Sequence, residues 1–195
     1  MLNITEFENV YPPAEDSALL LRAVKYARGR VLDMCTGSGI IAINAAARAK
    51  EVVAVDINPF AIKAVKHNAR INGIKNLKCV KSDVFSNLGK TKFDVIYSNP
   101  PYLPGEKNGD WMDHALNGGK EGSEITLRII RGLKSHLKRN GTAFIVISTV
   151  YDTDKVYKEI KHLKLSFRRL YSINFFFEKL FLIKIFYGKG RDSGK

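Results

Sequence analysis

The chain has 195 residues, and at about 150 residues per domain that leaves room for one domain and little beyond it. A 45% hydrophobic content builds one sizeable core and excludes disorder over the whole length. Thirty-two Lys and Arg against nineteen Asp and Glu leave a net charge of +13, which favours polyanionic partners, chiefly nucleic acid, or acidic protein surfaces.

The longest uncharged apolar run, Thr142 to Tyr151, is ten residues, well short of the ~20 that a membrane helix needs. Met1-Leu2-Asn3-Ile4-Thr5-Glu6 lacks a basic-then-apolar export pattern. Two cysteines, Cys35 and Cys79, make neither a disulfide framework nor a complete zinc site. A reducing, cytoplasmic location without a membrane or a metal is the expectation. The excess charge is concentrated: Ala61 to Lys92 holds eight Lys or Arg and one acid, Asp83. A solvated basic surface explains this as well as a nucleic-acid face does.

In chain order, Pro12-Pro13-Ala14-Glu15-Asp16-Ser17 opens a helix, with acids in the first turn at its positive end. Leu19, Leu20, Ala23, Val24 and Ala27 recur at helical spacing, and Arg28-Gly29 ends the run. Strands and helices then alternate. Arg30–Met34 is predicted as a strand, Ile40–Ala49 as a helix, Val52–Ile57 as a strand and Pro59–Asn72 as a helix followed by Gly73. Leu77–Lys81 and Phe93–Ser98 are predicted strands, Glu121–Lys138 a helix closed by Asn140-Gly141, and Thr142–Val150 a buried strand. Asp152-Thr153-Asp154 caps a further helix, and strands follow at Ser166–Phe175 and Leu180–Tyr187. This alternation predicts an α/β fold, a doubly wound, mostly parallel sheet of seven strands with an antiparallel C-terminal hairpin at one edge. The expected division is a helical segment over 1–29 packed on the core, a main domain over 30–187 and a polar tail over 188–195.

Ligands of such sheets bind beyond the carboxyl ends of the strands. After the first strand stands Asp33-Met34-Cys35-Thr36-Gly37-Ser38-Gly39, a turn whose glycines let backbone pass close to a ligand. Asp56 follows the second strand, placed to accept both hydroxyls of a ribose or, alternatively, to cap the next helix through Asn58-Pro59. Asp83 follows the third, suited to an exocyclic purine amine or to a plain turn. Asn99-Pro100-Pro101-Tyr102 follows the fourth. Pro-Pro breaks strand and helix alike and belongs just outside a sheet. A structural loop has no need of Asn before the prolines and Tyr after them.

Together, Asp33-x-Cys35-x-Gly37-x-Gly39, Asp56, Asp83 and Asn99-Pro-Pro-Tyr resemble the class I S-adenosylmethionine-dependent methyltransferases that act on amino groups. The fuller match resembles the HemK/PrmC family, which methylates the glutamine amide in the Gly-Gly-Gln motif of release factors. Val10-Tyr11-Pro12-Pro13-Ala14-Glu15-Asp16-Ser17 is similar to the opening of its short archaeal and eukaryotic branch. Ala115-Leu116-Asn117-Gly118-Gly119-Lys120-Glu121-Gly122 is similar to the loop that comes after its active site.

The resemblance implies S-adenosylmethionine as cofactor, giving S-adenosylhomocysteine, and no metal. It implies Ser17, Asp33, Cys35, Gly37, Gly39, Asp56, Asp83, Val84 and Asn99 as cofactor-binding residues. Asn99, Pro100, Pro101 and Tyr102 would hold the substrate, with Asn99, Pro100 and Tyr102 catalytic. It also implies a release factor as substrate and a small zinc-binding activator subunit as partner.

Two departures stand out. Cys35 replaces the first of three glycines, which a small thiol tolerates if the backbone torsion there is ordinary. Fewer than thirty residues precede the first strand, so the N-terminal substrate-gripping domain of bacterial members is not expected. Because a glutamine amide and an adenine N6 are both trigonal –NH2 groups beside a π system, methylation of adenine N6 or guanine N2 in RNA or DNA stays open. So does a catalytically inactive binding subunit, with Cys35 as its mark. Phe175-Phe176-Phe177 and Phe181-Leu182-Ile183 are expected mainly to fill the core, and otherwise to offer surface to the partner.

Overall fold

The structure is a computed structural model, and it describes residues 2–106 and 109–188. Helix α1 spans Glu15–Leu21, followed by a 3-10 turn at Val24–Tyr26. Then come β1 (Arg30–Met34), α2 (Ile40–Ala46), β2 (Glu51–Asp56), α3 (Pro59–Ile71), β3 (Leu77–Lys81) and β4 (Phe93–Ser98). A short insertion carries β5 (Leu103–Pro104), α4 (Trp111–Leu116) and β6 (Asn117–Gly119). The chain continues through α5 (Glu124–His136), β7 (Leu137–Ser148), α6 (Thr153–His162), β8 (Leu165–Asn174) and β9 (Lys179–Tyr187).

Seven strands form one sheet in the order β3-β2-β1-β4-β7-β9-β8. The first five of these are parallel, and β9 runs antiparallel between β7 and β8. The order reverses beside β1, and a crevice opens there at the carboxyl ends of the strands. Alternate residues feed two cores. Leu32, Val53, Ile96 and Ile145 pack against α5 and α6 on one face. Val31, Val52, Val95 and Val146 pack against α1, α2 and α3 on the other. Both faces are covered, as near-continuous apolar strands require.

The expected helix over Pro12–Arg28 is shorter. Pro12 and Pro13 precede α1, and a 3-10 turn replaces its last third. Residues 2–14 form an arm without helix or strand, turned once at Glu8–Val10, and its first part lies on α3. Asn68 exchanges hydrogen bonds with both backbone groups of Thr5, and Asn72 does the same with Asn3, at 2.6–3.0 Å. The expected helix over Glu121–Lys138 stops at His136, and Leu137 already pairs with Phe93. The turn at Asn140-Gly141 survives as a bulge inside β7, where the pairing jumps from Leu137 to Thr142. The insertion between β4 and α5 has no periodicity, and its elements were not predicted.

The aromatic runs divide. Leu182 and Ile183 are wholly buried, whereas Phe176 is 92% and Phe177 90% exposed. Core filling therefore holds for the second run and fails for the first, because a hairpin turn carries Phe175–Phe177 past the end of the ladder. The expected polar tail lies, after Gly188, outside the described residues. Among the described residues no helix is long and apolar enough to cross a membrane.

Candidate active site

One cleft runs along the carboxyl edge of the sheet. Ser17, Asp33, Cys35, Gly37, Asp56, Asp83, Val84, Asn99, Pro100, Pro101 and Tyr102 all line it. Of the predicted residues only Gly39 stands outside. It begins α2 with φ +83, and a Cβ there would meet Val65 Cγ2 at 2.9 Å, so its need for glycine comes from torsion and helix packing.

The turn after β1 is held from two sides. Asp33 is 1% exposed, and its Oδ2 accepts from Thr36 Oγ1 at 2.6 Å and from Ala42 N at 3.0 Å. Burial outweighs these two bonds and pushes its carboxyl up to about 7. From the neighbouring strand, Asp56 Oδ2 accepts from Gly37 N at 3.0 Å, and its Oδ1 accepts from Asn58 N at 2.9 Å. Asn58 itself caps α3 by accepting from Phe60 N, so capping does not fall to Asp56.

Cys35 corrects an expectation. Its φ is +60, in the left-handed region, so the thiol occupies a position that suits glycine. The residue packs partly buried against the core, and burial together with Asp56 and Asp33 raises its thiol well above the ordinary range. It stands there as a neutral side chain and not as a nucleophile. Val84 is strained in the same way, with φ +50. Asp83, one residue earlier, is paired with Arg128 of α5 at 2.8 Å on the exposed rim, a partner that no local sequence signal announced.

At the end of β4, Ser98 Oγ donates to Met34 O at 2.9 Å and pins this strand end beside the cofactor turn. The next side chain, Asn99, has its Oδ1 buried with no hydrogen-bond donor among the described residues. A buried amide oxygen in that state costs roughly 1–3 kcal/mol of lost solvation, which proteins tolerate mainly where a ligand supplies the donor. The prolines beyond it are braced by the insertion. Tyr102 N donates to Leu116 O at 3.1 Å, and Gly118 lies so near the loop that a Cβ there would come within 2.6 Å of Pro101 O. Gly118 and Gly122 thus serve close backbone approach to the Pro-Pro loop, whereas a Cβ at Gly119 would meet the Glu124 side chain.

Several lining residues escaped the sequence reading. Tyr11 donates to Asp16 Oδ2 at 3.2 Å, while Ser17 N donates to Asp16 Oδ1 at 2.6 Å. Burial, then Asp16, raises both the Tyr11 and Tyr102 phenols above their ordinary range, so both remain hydrogen-bond donors. Trp111 and His114 of α4 wall the cleft, and Glu178 enters it from the β8–β9 turn while accepting from Ser148 Oγ at 2.5 Å. Asp16 lay inside a motif already singled out, whereas Glu178 carried no local signal. Among the described residues the lining includes five acids and no Lys or Arg, despite the +13 charge of the chain. No group of three His, Cys, Asp or Glu among the described residues gathers there as a metal-ligand set.

Known proteins resemble this chain. A protein of Methanocaldococcus jannaschii, provisionally named a protein N5-glutamine methyltransferase, is 42% identical over 159 residues, covering 79% of this chain and 80% of its own. The ribosomal protein uL3 glutamine methyltransferase of Francisella tularensis is 34% identical and the release factor glutamine methyltransferase of Thermodesulfovibrio yellowstonii 33%, each over 60% of this chain. The matched region spans only 40% and 46% of those two bacterial proteins. Among solved structures, a chain of the E. cuniculi Mtq2-Trm112 complex, responsible for methylation of the eRF1 translation termination factor, superposes with a TM-score of 0.74. It is 21% identical and covers 92% of this chain and 99% of its own, a likeness of fold. The model of the family described as Methyltransferase small domain matches residues 14–174. A cleft at the switch of strand order, a glycine turn behind β1 and Asn-Pro-Pro-Tyr behind β4 thus stand inside that match, and the chain belongs to the methyltransferase small domain family.

Proposed function

We propose that this chain transfers a methyl group from S-adenosylmethionine to a glutamine side-chain amide, that of the Gly-Gly-Gln motif of a peptide chain release factor. The observation that carries this reading is the buried Asn99 Oδ1, an acceptor without a donor among the described residues; the carbonyl of the next residue, Pro100, is the proposed second acceptor. The cleft fits the cofactor. Asp56 and Asp83 are the acceptors for ribose hydroxyls and an adenine amine, and Gly37 and Ser17 line the same cleft as Asn99. When bound, S-adenosylmethionine supplies a methyl group on positively charged sulfur, already activated for in-line displacement.

The residues of the chain do the rest by positioning. An amide nitrogen is a poor nucleophile because its lone pair is delocalised into the carbonyl. Asn99 Oδ1 and the Pro100 carbonyl each accept one N–H, which aims the nitrogen and draws its developing positive charge toward two oxygens. Pro100 and Pro101 have no N–H to compete and keep the loop stiff. Tyr102 offers a flat face for the planar amide. No strong base is required, since the product nitrogen sheds its proton readily.

The relatives named above support glutamine as the acceptor. The Mtq2-Trm112 likeness supports a small partner subunit, so the isolated chain is expected to be weakly active or poorly soluble. The test offers labelled cofactor separately to a Gly-Gly-Gln release factor, to RNA and to DNA, with and without the partner. Label in the release factor at the glutamine is expected. Label confined to nucleic acid rejects the reading.

A further inference from the structure

The tip of the β8–β9 hairpin holds two large apolar side chains in water. Phe176 and Phe177 are 92% and 90% exposed, and their rings meet edge-on at 4.7 Å. The turn beneath them is braced. Phe175 N donates to Glu178 O at 2.7 Å, Lys179 N donates to Thr149 Oγ1 at 2.8 Å, and the ladder runs up to Asn174 and Lys179. Their exposure is therefore built by a rigid hairpin rather than by loose chain.

The position of the tip gives it a role. Glu178, the next residue, lines the cleft. Strand β9 runs antiparallel to β7, so its first residues lie at the edge where the parallel strands end. In the sheet, β9 is two strands beyond β4, or about 10 Å. Asp56 and Asp83 come after β2 and β3, on the opposite side of Asn99. The two rings thus stand on the Asn99 side of the cleft, away from Asp56 and Asp83.

We propose that Phe176 and Phe177 dock the protein that carries the acceptor glutamine, seating in an apolar hollow of that protein beside the loop it presents. This rests on the reading of the cleft as a glutamine methyltransferase site and adds how the substrate is gripped. Charge favours a protein over a nucleic acid here. Asp16 and Glu178 line the cleft, and among the described residues no Lys or Arg lines it to receive a phosphate. In protein recognition a few large side chains that seat in fully desolvated pockets of the partner carry most of the binding energy.

The test measures initial methylation rates of the full chain, with the small partner subunit present, against rising concentrations of a Gly-Gly-Gln release factor, for the parent, F176S/F177S and F176L/F177L. Removing both anchors is expected to raise KM for the release factor about tenfold or more, leaving kcat and cofactor affinity within about twofold. The leucine pair keeps the apolar knob and is expected to stay near the parental KM. A parental KM in the serine variant overturns the docking role, as does an equal loss in the leucine variant, while the reading of the site survives either result. A parent that confines its label to RNA, or leaves the release factor unlabelled even with the small partner subunit present, sinks that reading and the docking role together.

Discussion

Asp56 Oδ2 accepts the backbone N–H of Gly37 at 3.0 Å, so the carboxylate that ends β2 holds the turn behind β1. One side chain thereby shapes the cleft and offers an acceptor to it. Asp56→Ala removes both functions, and cofactor affinity is expected to fall about 10- to 100-fold, the worth of one charged hydrogen bond. Titration calorimetry checks this, and an unchanged affinity would reject Asp56 as a cofactor residue.

Asn99→Ala removes one of two proposed acceptors at the reacting nitrogen. Turnover is expected to drop roughly 10²-fold or more, with cofactor binding much less affected. The same truncation deletes a buried oxygen that has no donor among the described residues, so it carries little stability cost. A variant with parental turnover would remove Asn99 from the mechanism.

At position 35 the backbone, and not the thiol, sets the tolerance. With φ at +60, Cys35→Gly relieves the left-handed torsion but frees the unfolded chain, and the two effects nearly offset. Stability is expected to stay within about 1 kcal/mol of the parent. Cys35→Val adds a β-branched side chain in the same torsion and is expected to cost about 2 kcal/mol or more. Urea unfolding of the two variants decides it, and equal stabilities would contradict the role given to the torsion.

Gly39→Ala tests packing beside the site. The new methyl meets Val65 and the torsion is left-handed, so a loss of about 1–3 kcal/mol is expected. Since Gly39 does not line the cleft, ligand affinity per folded molecule is expected to hold. A variant as stable as the parent would contradict the close contact with Val65.

Stability is also expected to depend on pH through Asp33. Its carboxyl is raised to about 7 in the folded chain, against about 3.9 when unfolded. Between these values the folded chain keeps a proton that the unfolded chain has released. The contribution is therefore fully present below about pH 4 and is lost as pH rises to about 7. Asp56 is raised by burial as well and adds in the same direction. Asp33→Asn keeps one oxygen acceptor and cannot titrate. The parent's urea midpoint relative to that variant is expected to fall from pH 4 to 7 and then level, so a constant gap would refute the linkage to Asp33.

Much of this molecule is legible in its amino-acid sequence. The bounds of β1, β3 and β4 match their predicted spans: short apolar runs mark the buried strands β1 and β4, and the half-exposed edge strand β3 mixes apolar residues with Lys78 and Lys81. Asp33, Asp56, Asp83 and Asn99 stand at or just past the carboxyl ends of four such runs, so local sequence is enough to pick them out. Other features are set only by tertiary structure. The slot of β9 between β7 and β8, the Arg128 partner of Asp83 and the entry of Glu178 into the cleft each join segments far apart in the chain. The left-handed torsion of Cys35 and the exposure of Phe176 and Phe177 likewise depend on how a turn is forced to run between fixed strands. Periodicity records whether a residue is buried. Which distant residue buries it, and which side chain a turn throws outward, is decided when the strands pair.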